Sequence, residues 1–195
     1  MRITAEEKAA TRKRILDAGK SLFRSKGFDQ ATTRDIAREV GVATGTMFNY
    51  FASKEAIVVE LATQGFEKAA ADFEKNRRAK ATVEEELFAL IAAQLRCIRS
   101  TRKFIRPLLD TALTPAANPL ADEPAAALRA NLTEQFVDIL NGHGFDEPSS
   151  VALNIFWSLY VGVLTFWGGD KSPRQEDTLA LLDQSLQMFV SWLEG

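Results

Sequence analysis

Residues 33–50 read TRDIAREVGVATGTMFNY, and their types and spacing suit contact with nucleic acid rather than bond-making. Two short helices are expected to meet at Gly41, with Ala37 four residues before it. The small side chain lets the helices approach closely, and glycine permits the positive φ that the turn needs. Ile36, Val40, Val42, Met47 and Phe51 are the apolar pegs. This is a helix-turn-helix arrangement, whose second helix lies in a major groove. Many helical hairpins contain Ala-x-x-x-Gly, so the surrounding residues must decide.

Other chemistry is poorly supplied. One cysteine, Cys97, excludes an internal disulfide framework and a cysteine-cluster zinc site. One histidine, His143, disfavours a histidine metal site or a Ser-His-Asp triad. The expectation is a protein that is not an enzyme and needs no cofactor and no metal. A buried, inert Cys97 is favoured over a redox sensor. His143, between two glycines, reads as a surface residue.

Charge is divided along the chain. The total of −2 conceals 11 Lys and Arg against 6 Asp and Glu in residues 1–54, and 13 against 20 in residues 55–195. A basic first quarter on an acidic body suits a nucleic-acid module joined to something else. The N-terminus has no apolar core of a secretory signal. The uncharged run 148–169 is dense in apolar residues for only about 17 positions, against about 20 for a membrane span. A cytoplasmic location with no membrane contact follows as an expectation.

The elements that must position these residues are helical throughout. Helices are expected over about 5–26, 33–40, 44–50, 54–77, 82–100, 125–141, 149–167 and 173–193, with Pro107 interrupting 103–113. Thr32 and Ser53 are candidate caps, Asp35 completes an approximate capping box, and Gly27 and Gly41 close helices. Residues 114–124 hold three prolines and read as a loop. In the last helix Leu179, Leu182, Leu186, Phe189, Val190 and Leu193 form one stripe, and Leu181, Met188 and Trp192 form a second. Together they cover about 200° of the helix, where one stripe covers about 100°. The preceding helix, around Ile155, Trp157, Tyr160, Val163 and Phe166, also lacks a charged face. A four-helix interface with a second copy is expected, through Tyr160, Val163, Leu182, Leu186, Phe189 and Leu193. The competing reading is that both helices are central in a monomer core.

Beyond the hairpin, Thr11-Arg12, Ile15, Ala18, Leu22-Phe23, Gly27-Phe28, Thr32-Thr33, Asp35-Ile36-Ala37, Gly41-Val42, Gly45-Thr46, Asn49-Tyr50-Phe51 and Ser53-Lys54-Glu55 stand in order. Over about residues 9–57 they resemble the N-terminal module of the tetracycline-repressor (TetR) family of transcriptional regulators. The rest of the chain is similar to that family's ligand-binding and dimerisation domain in architecture only. The resemblance implies an all-α fold of about nine helices. A three-helix DNA-binding domain over 8–68, with its helix-turn-helix at about 32–51, would precede a helical ligand-binding and dimerisation domain over 69–195.

It also implies roles. Thr33 and Arg34, at a helix N-terminus, would meet a phosphate or a guanine. Thr44 and Gly45 would open the recognition helix toward base edges. Thr46 and Tyr50 would offer hydroxyls to phosphates, Phe48 would pack on a thymine methyl or a sugar, and Asn49 would bond a base or a phosphate. Lys54 would address a phosphate from the first turn of the fourth helix. Two departures stand out. Position 43, often a capping Ser in the family, is Ala43, and position 48, commonly Tyr, is Phe48. A small-molecule effector is implied for the C-terminal domain, with Phe88, Ile91, Leu95, Phe104, Leu108, Phe136, Phe156 and Tyr160 as candidate walls and Gln94 or Asn154 as polar contacts. The function implied is a homodimeric repressor on a palindromic double-stranded DNA operator, released by an inducer. The alternative is a helical small-molecule binder or enzyme that uses the C-terminal pocket.

Overall fold

The computed structural model describes residues 4–114 and 123–195. Nine α-helices and no strands occur among them: α1 (Ala5–Ser25), α2 (Thr33–Val40), α3 (Thr44–Phe48), α4 (Lys54–Asn76), α5 (Val83–Cys97), α6 (Ile105–Leu108), α7 (Glu123–Gly142), α8 (Ser150–Gly169) and α9 (Glu176–Glu194). The all-α expectation holds, and helix boundaries fall within a few residues of those read from the periodicity. The proline-rich loop, but for its ends, lies outside the described residues.

Local chemistry explains most of the helix starts. Thr4, Thr32 and Thr82 each cap a helix, with Glu7, Asp35 and Glu85 closing a reciprocal capping box. Ser53 caps α4 and Ser149 caps α8. Gly41 ends α2 at φ 76°, a conformation that a side chain would strain. After α5 the chain tightens into a 3₁₀ segment, Arg99–Phe104. Pro107 then permits only the single α-helical turn of α6, and a π turn, Leu109–Leu113, follows. A proline has no N–H for the helical ladder, so the interruption sits where the sequence places it.

The first three helices pack on the N-terminal part of α4. Gly19 brings α1 close to α4, since a Cβ there would stand 3.0 Å from Ile57 Cγ2. Ile15, Phe23, Ile36, Met47 and Ile57 fill the space between them and are almost fully buried. The boundary expected at residues 68 and 69 falls inside α4, which runs through it unbroken. In the body, α5 packs on α4 and α9, and α8 on α9. Phe136 of α7 stacks on Phe156 of α8 with ring centroids 3.5 Å apart, and Phe189 of α9 tilts against both at 5.9 and 5.8 Å.

A charge cluster around the buried Glu86 ties the base of the body together. Glu86 of α5 accepts from Arg77 Nε at 3.1 Å and Nη2 at 2.9 Å, and its Oε2 lies 3.3 Å from His143 Nε2. His143 is thus a half-buried bridging residue, not the free surface side chain expected. The Arg77 hydrogen bonds outweigh burial and hold the Glu86 carboxyl below its ordinary range of about 4.5. Its stabilisation is therefore complete above that range and is lost as pH falls through the lower, folded-state value. Glu86→Gln is predicted to cost about 2 kcal/mol at pH 7. In denaturant titrations across pH, the gap from wild type should close below the carboxylate range. A gap that stays constant as the acid is protonated would contradict this.

Candidate nucleic-acid interface

The outer surface of the N-terminal unit is made by the start of α2 and nearly all of α3. The capping box uses the Thr32 and Asp35 amides, with Asp35 N bonded to Thr32 Oγ1 at 3.1 Å and Thr32 N to Asp35 Oδ2 at 3.2 Å. The Thr33 and Arg34 amides belong to the first turn, which has no intrahelical acceptors. The Thr32 hydrogen bonds lower the Asp35 pKa, and Lys26 and Arg38 stand 3.6 and 3.3 Å from its carboxylate. The acid at this helix end is thus partly neutralised. Arg34 projects beside it, exposed.

Only Met47 of α3 is buried. Thr44 and Thr46 are half-buried, Gly45 and Asn49 are exposed, and Phe48 is 49% exposed. A large aromatic ring facing outward on a five-residue helix lacks a partner in the chain's own core. Ala43 stands at the N-cap of α3 and makes no side-chain cap bond, as its departure from serine implied.

Three cations from neighbouring helices hold the connections around the short helices: Lys54 before α2, Arg14 at its end and Arg12 after α3. Lys54 Nζ of α4 donates to Phe28 O at 2.8 Å and Ala31 O at 3.4 Å, and sits 4.2 Å from the Phe28 ring centroid. Arg14 of α1 donates to Val40 O, the last carbonyl of α2. Arg12 of α1 donates to Tyr50 O at 3.0 Å, pairs with Glu60 at 2.9 Å and lies over the Phe51 ring. The expected Lys54–phosphate contact is corrected accordingly, because the ammonium turns into the α1–α2 connection. Tyr50 is half-buried, and its carbonyl anchors the turn after α3. The sequence pattern gives Arg12 and Arg14 no bracing role, because their carbonyl partners lie 38 and 26 residues away.

The body relocates several expected residues. Tyr160, Val163, Leu182, Leu186 and Phe189 are buried in the chain's own core, so they cannot form a surface for a second copy. Leu193 is half-buried. The second stripe is the uncovered one: Met188 is 66% exposed and Trp192 49%, with Leu181 beside them, and Val151 (58%) and Phe166 (45%) lie on α8. α8 is long and apolar enough by length and composition to cross a membrane, with mean hydropathy 1.5, and only a third of that stretch is buried.

Of the expected pocket walls, Phe88 lines a groove of about 780 Å³ between α4, α5 and α9. Phe136, Phe156 and Asn154 line a pocket of about 300 Å³ between α7 and α8. Ile91, Leu95, Phe104 and Leu108 are core residues. Gln94 Oε1 and Tyr160 OH are buried without a partner among the described residues, and burial raises the tyrosine pKa. Burial, with Asp72 at 3.7 Å, raises the Cys97 pKa, which disfavours a reactive thiolate.

A short uncharged helix offered outward on a tripod of buried pegs, joined to a larger helical body, defines a helix-turn-helix protein. Residues 15–61 match the sequence profile of the bacterial regulatory proteins of the tetR family. The transcriptional repressor KstR of Mycobacterium tuberculosis is 29% identical over 192 residues, covering 95% of this chain and 83% of that protein. UidR, a transcriptional regulator of Escherichia coli, is 36% identical over 67 residues, covering 34% of each chain. The alignments with the first curated relatives thus span only about a third of those proteins' length. Thermus thermophilus FadR, a TetR-family repressor solved with lauroyl-CoA, superposes with a TM-score of 0.72 at 21% identity over 92% of this chain and 93% of its own. Bacillus subtilis FadR, solved with stearoyl-CoA, gives 0.61 at 21% identity over 92% and 97%. Residues 15–61 thus match the tetR family of bacterial regulatory proteins, and the chain as a whole shares the fold of the solved regulators.

The vacant cap gives a gain-of-stability test. Ala43→Ser is predicted to raise stability by about 1 kcal/mol by capping α3. Lys54→Met is predicted to lower it by about 1 kcal/mol through loss of the carbonyl clamp. Thermal melting of both variants checks this, and an unchanged Lys54→Met midpoint would refute the clamp.

Proposed function

We propose that this chain is a transcriptional repressor that binds a near-palindromic DNA operator as a homodimer and is released by a small molecule held in its C-terminal part. Residues 8–68 contact DNA, residues 69–195 bind the effector and the second copy, and the protein works in the cytoplasm. One observation carries the reading: α3 has a single buried side chain and turns Thr44, Gly45, Thr46, Phe48 and Asn49 outward. A helix so placed enters a major groove, where polar groups meet phosphates and bases and an aromatic ring meets a thymine methyl. Thr33 and Arg34 supply a backbone amide pair and a guanidinium to the flanking phosphate or a guanine. Tyr50 contributes its hydroxyl at the edge of that face.

The dimer rests on the uncovered stripe of Leu181, Met188 and Trp192 and on the exposed apolar face of α8. Such a patch on one chain suits a self-complementary two-fold contact between two α8–α9 pairs. The two recognition helices then address half-sites about one helical turn apart. The effector reading draws on the neighbours solved with acyl-CoA esters and on polar atoms left unpaired inside the body. An effector that favours a wider spacing of the two helices lowers DNA affinity by its differential binding to the two states.

Selection of bound duplexes from a random pool is expected to return an inverted repeat, and Arg34→Ala should weaken its binding by about 1–3 kcal/mol. With about 6–10 phosphates neutralised, affinity should fall by ~10³-fold or more between 50 and 200 mM salt. No enrichment, or a flat salt response, would sink the proposal. Met188→Glu is expected to convert the dimer to a monomer in light scattering and to abolish binding of the full repeat. A Met188→Glu variant that stays dimeric would exclude this interface.

A further inference from the structure

The α7–α8 pocket combines an aromatic wall with a cation that has no anionic partner among the described residues. Its volume of about 300 Å³ is at the small end of ligand pockets, and its lining includes Arg129, Thr133, Phe136, Asn154, Phe156 and Trp157. Arg129 lies over the Trp157 ring, 5.1 Å from its centroid. Its Nη2 donates to Leu113 O at 2.9 Å and Thr114 O at 2.8 Å, and Trp157 Nε1 donates to the same Leu113 carbonyl at 2.8 Å. The guanidinium is therefore held in place before any ligand arrives.

Its remaining donors are not matched. Nε is buried and has no acceptor among the described residues. Burial lowers its pKa. Other arginines packed against the protein differ. Arg12 pairs with Glu60 and Arg77 with Glu86, while Arg102 uses both Nε and Nη2 on carbonyls of Trp167 and Asp170. A half-buried guanidinium that lines a pocket, with no carboxylate beside it among the described residues, favours an arriving anion. At the rim, Asn154 Nδ2 donates one hydrogen to Ser150 O and has a second to offer.

We propose that this pocket takes the anionic end of an amphipathic small molecule, with Arg129 as its ion-pair partner and Trp157, Phe136 and Phe156 against its apolar body. The proposal deepens the effector reading and rests on it. A free carboxylate and the phosphates of an acyl carrier share this chemistry, so the test has an arm for each.

Decanoate, decan-1-ol and decanoyl-CoA are titrated calorimetrically into the full-length protein, Arg129→Met and Asn154→Asp. Wild type is expected to bind decanoate at least about tenfold more tightly than the alcohol, a preference worth about 1.4 kcal/mol. Arg129→Met should erase the preference. Asn154→Asp, which leaves the Arg129 contacts intact and adds a charge at the rim, should weaken the acid about fivefold or more and spare the alcohol. The same Arg129 dependence confined to decanoyl-CoA would assign the anion to the carrier phosphates. Equal binding of acid and alcohol, acid binding unchanged in both variants, or no binding of any probe would overturn the proposal. Operator release is scored in parallel. Arg129-dependent binding without release keeps the pocket and rejects the effector reading, whereas release by the alcohol alone rejects the pocket's anion preference.

Discussion

Cations from neighbouring helices hold the ends of the short helices, and the recognition surface depends on them. Helices of five and eight residues are too short to persist in water by themselves. Their last carbonyls have no intrahelical donors, and here those ends face other helices. Lys54, Arg14 and Arg12 satisfy carbonyls after α1, at the end of α2 and after α3. Arg14 and Arg12 place positive charge at the C-terminal ends of α2 and α3, where the helix dipole favours it, while Lys54 ties down the α1–α2 connection. The buried pegs Ile36, Met47 and Phe51 set the depth of packing, and the cations set the angles.

This arrangement changes the meaning of the basic N-terminal quarter. An excess of positive charge reads as an electrostatic footprint for nucleic acid, yet three of those cations act as internal braces. α3 itself carries no charge at all. In the proposed complex its contribution is shape, hydroxyls and an outward phenylalanine, and the charge is supplied from its flanks, by the exposed Arg34 above all.

The helices were legible because their signals are local: capping boxes at Thr4, Thr32 and Thr82, a glycine at φ 76° in the turn, and a proline that breaks the ladder. The α3 surface was legible through a dense motif, together with its missing cap. The direction of Lys54 was not, since its carbonyl partners lie more than 20 residues earlier and nothing in the local pattern encodes them. Nor was the choice between two apolar stripes on α9. Leu182, Leu186 and Phe189 point inward, while Leu181 and Met188 point out. Periodicity shows that two faces exist, but only the packing of α8 and α5 decides which one the chain covers. Gln94 and Tyr160 were visible as residue types and Arg129 was not, and their lack of partners among the described residues appears only in three dimensions.

The central claim is that the outer face of α3 enters duplex DNA. It is tested most directly by placing a photoreactive phenylalanine analogue at Phe48 and mapping its crosslinks on the selected duplex. The account predicts crosslinks to bases in the major groove, at two positions about 34 Å apart, one from each subunit. Crosslinks confined to protein, or to a single position per bound dimer, would contradict it.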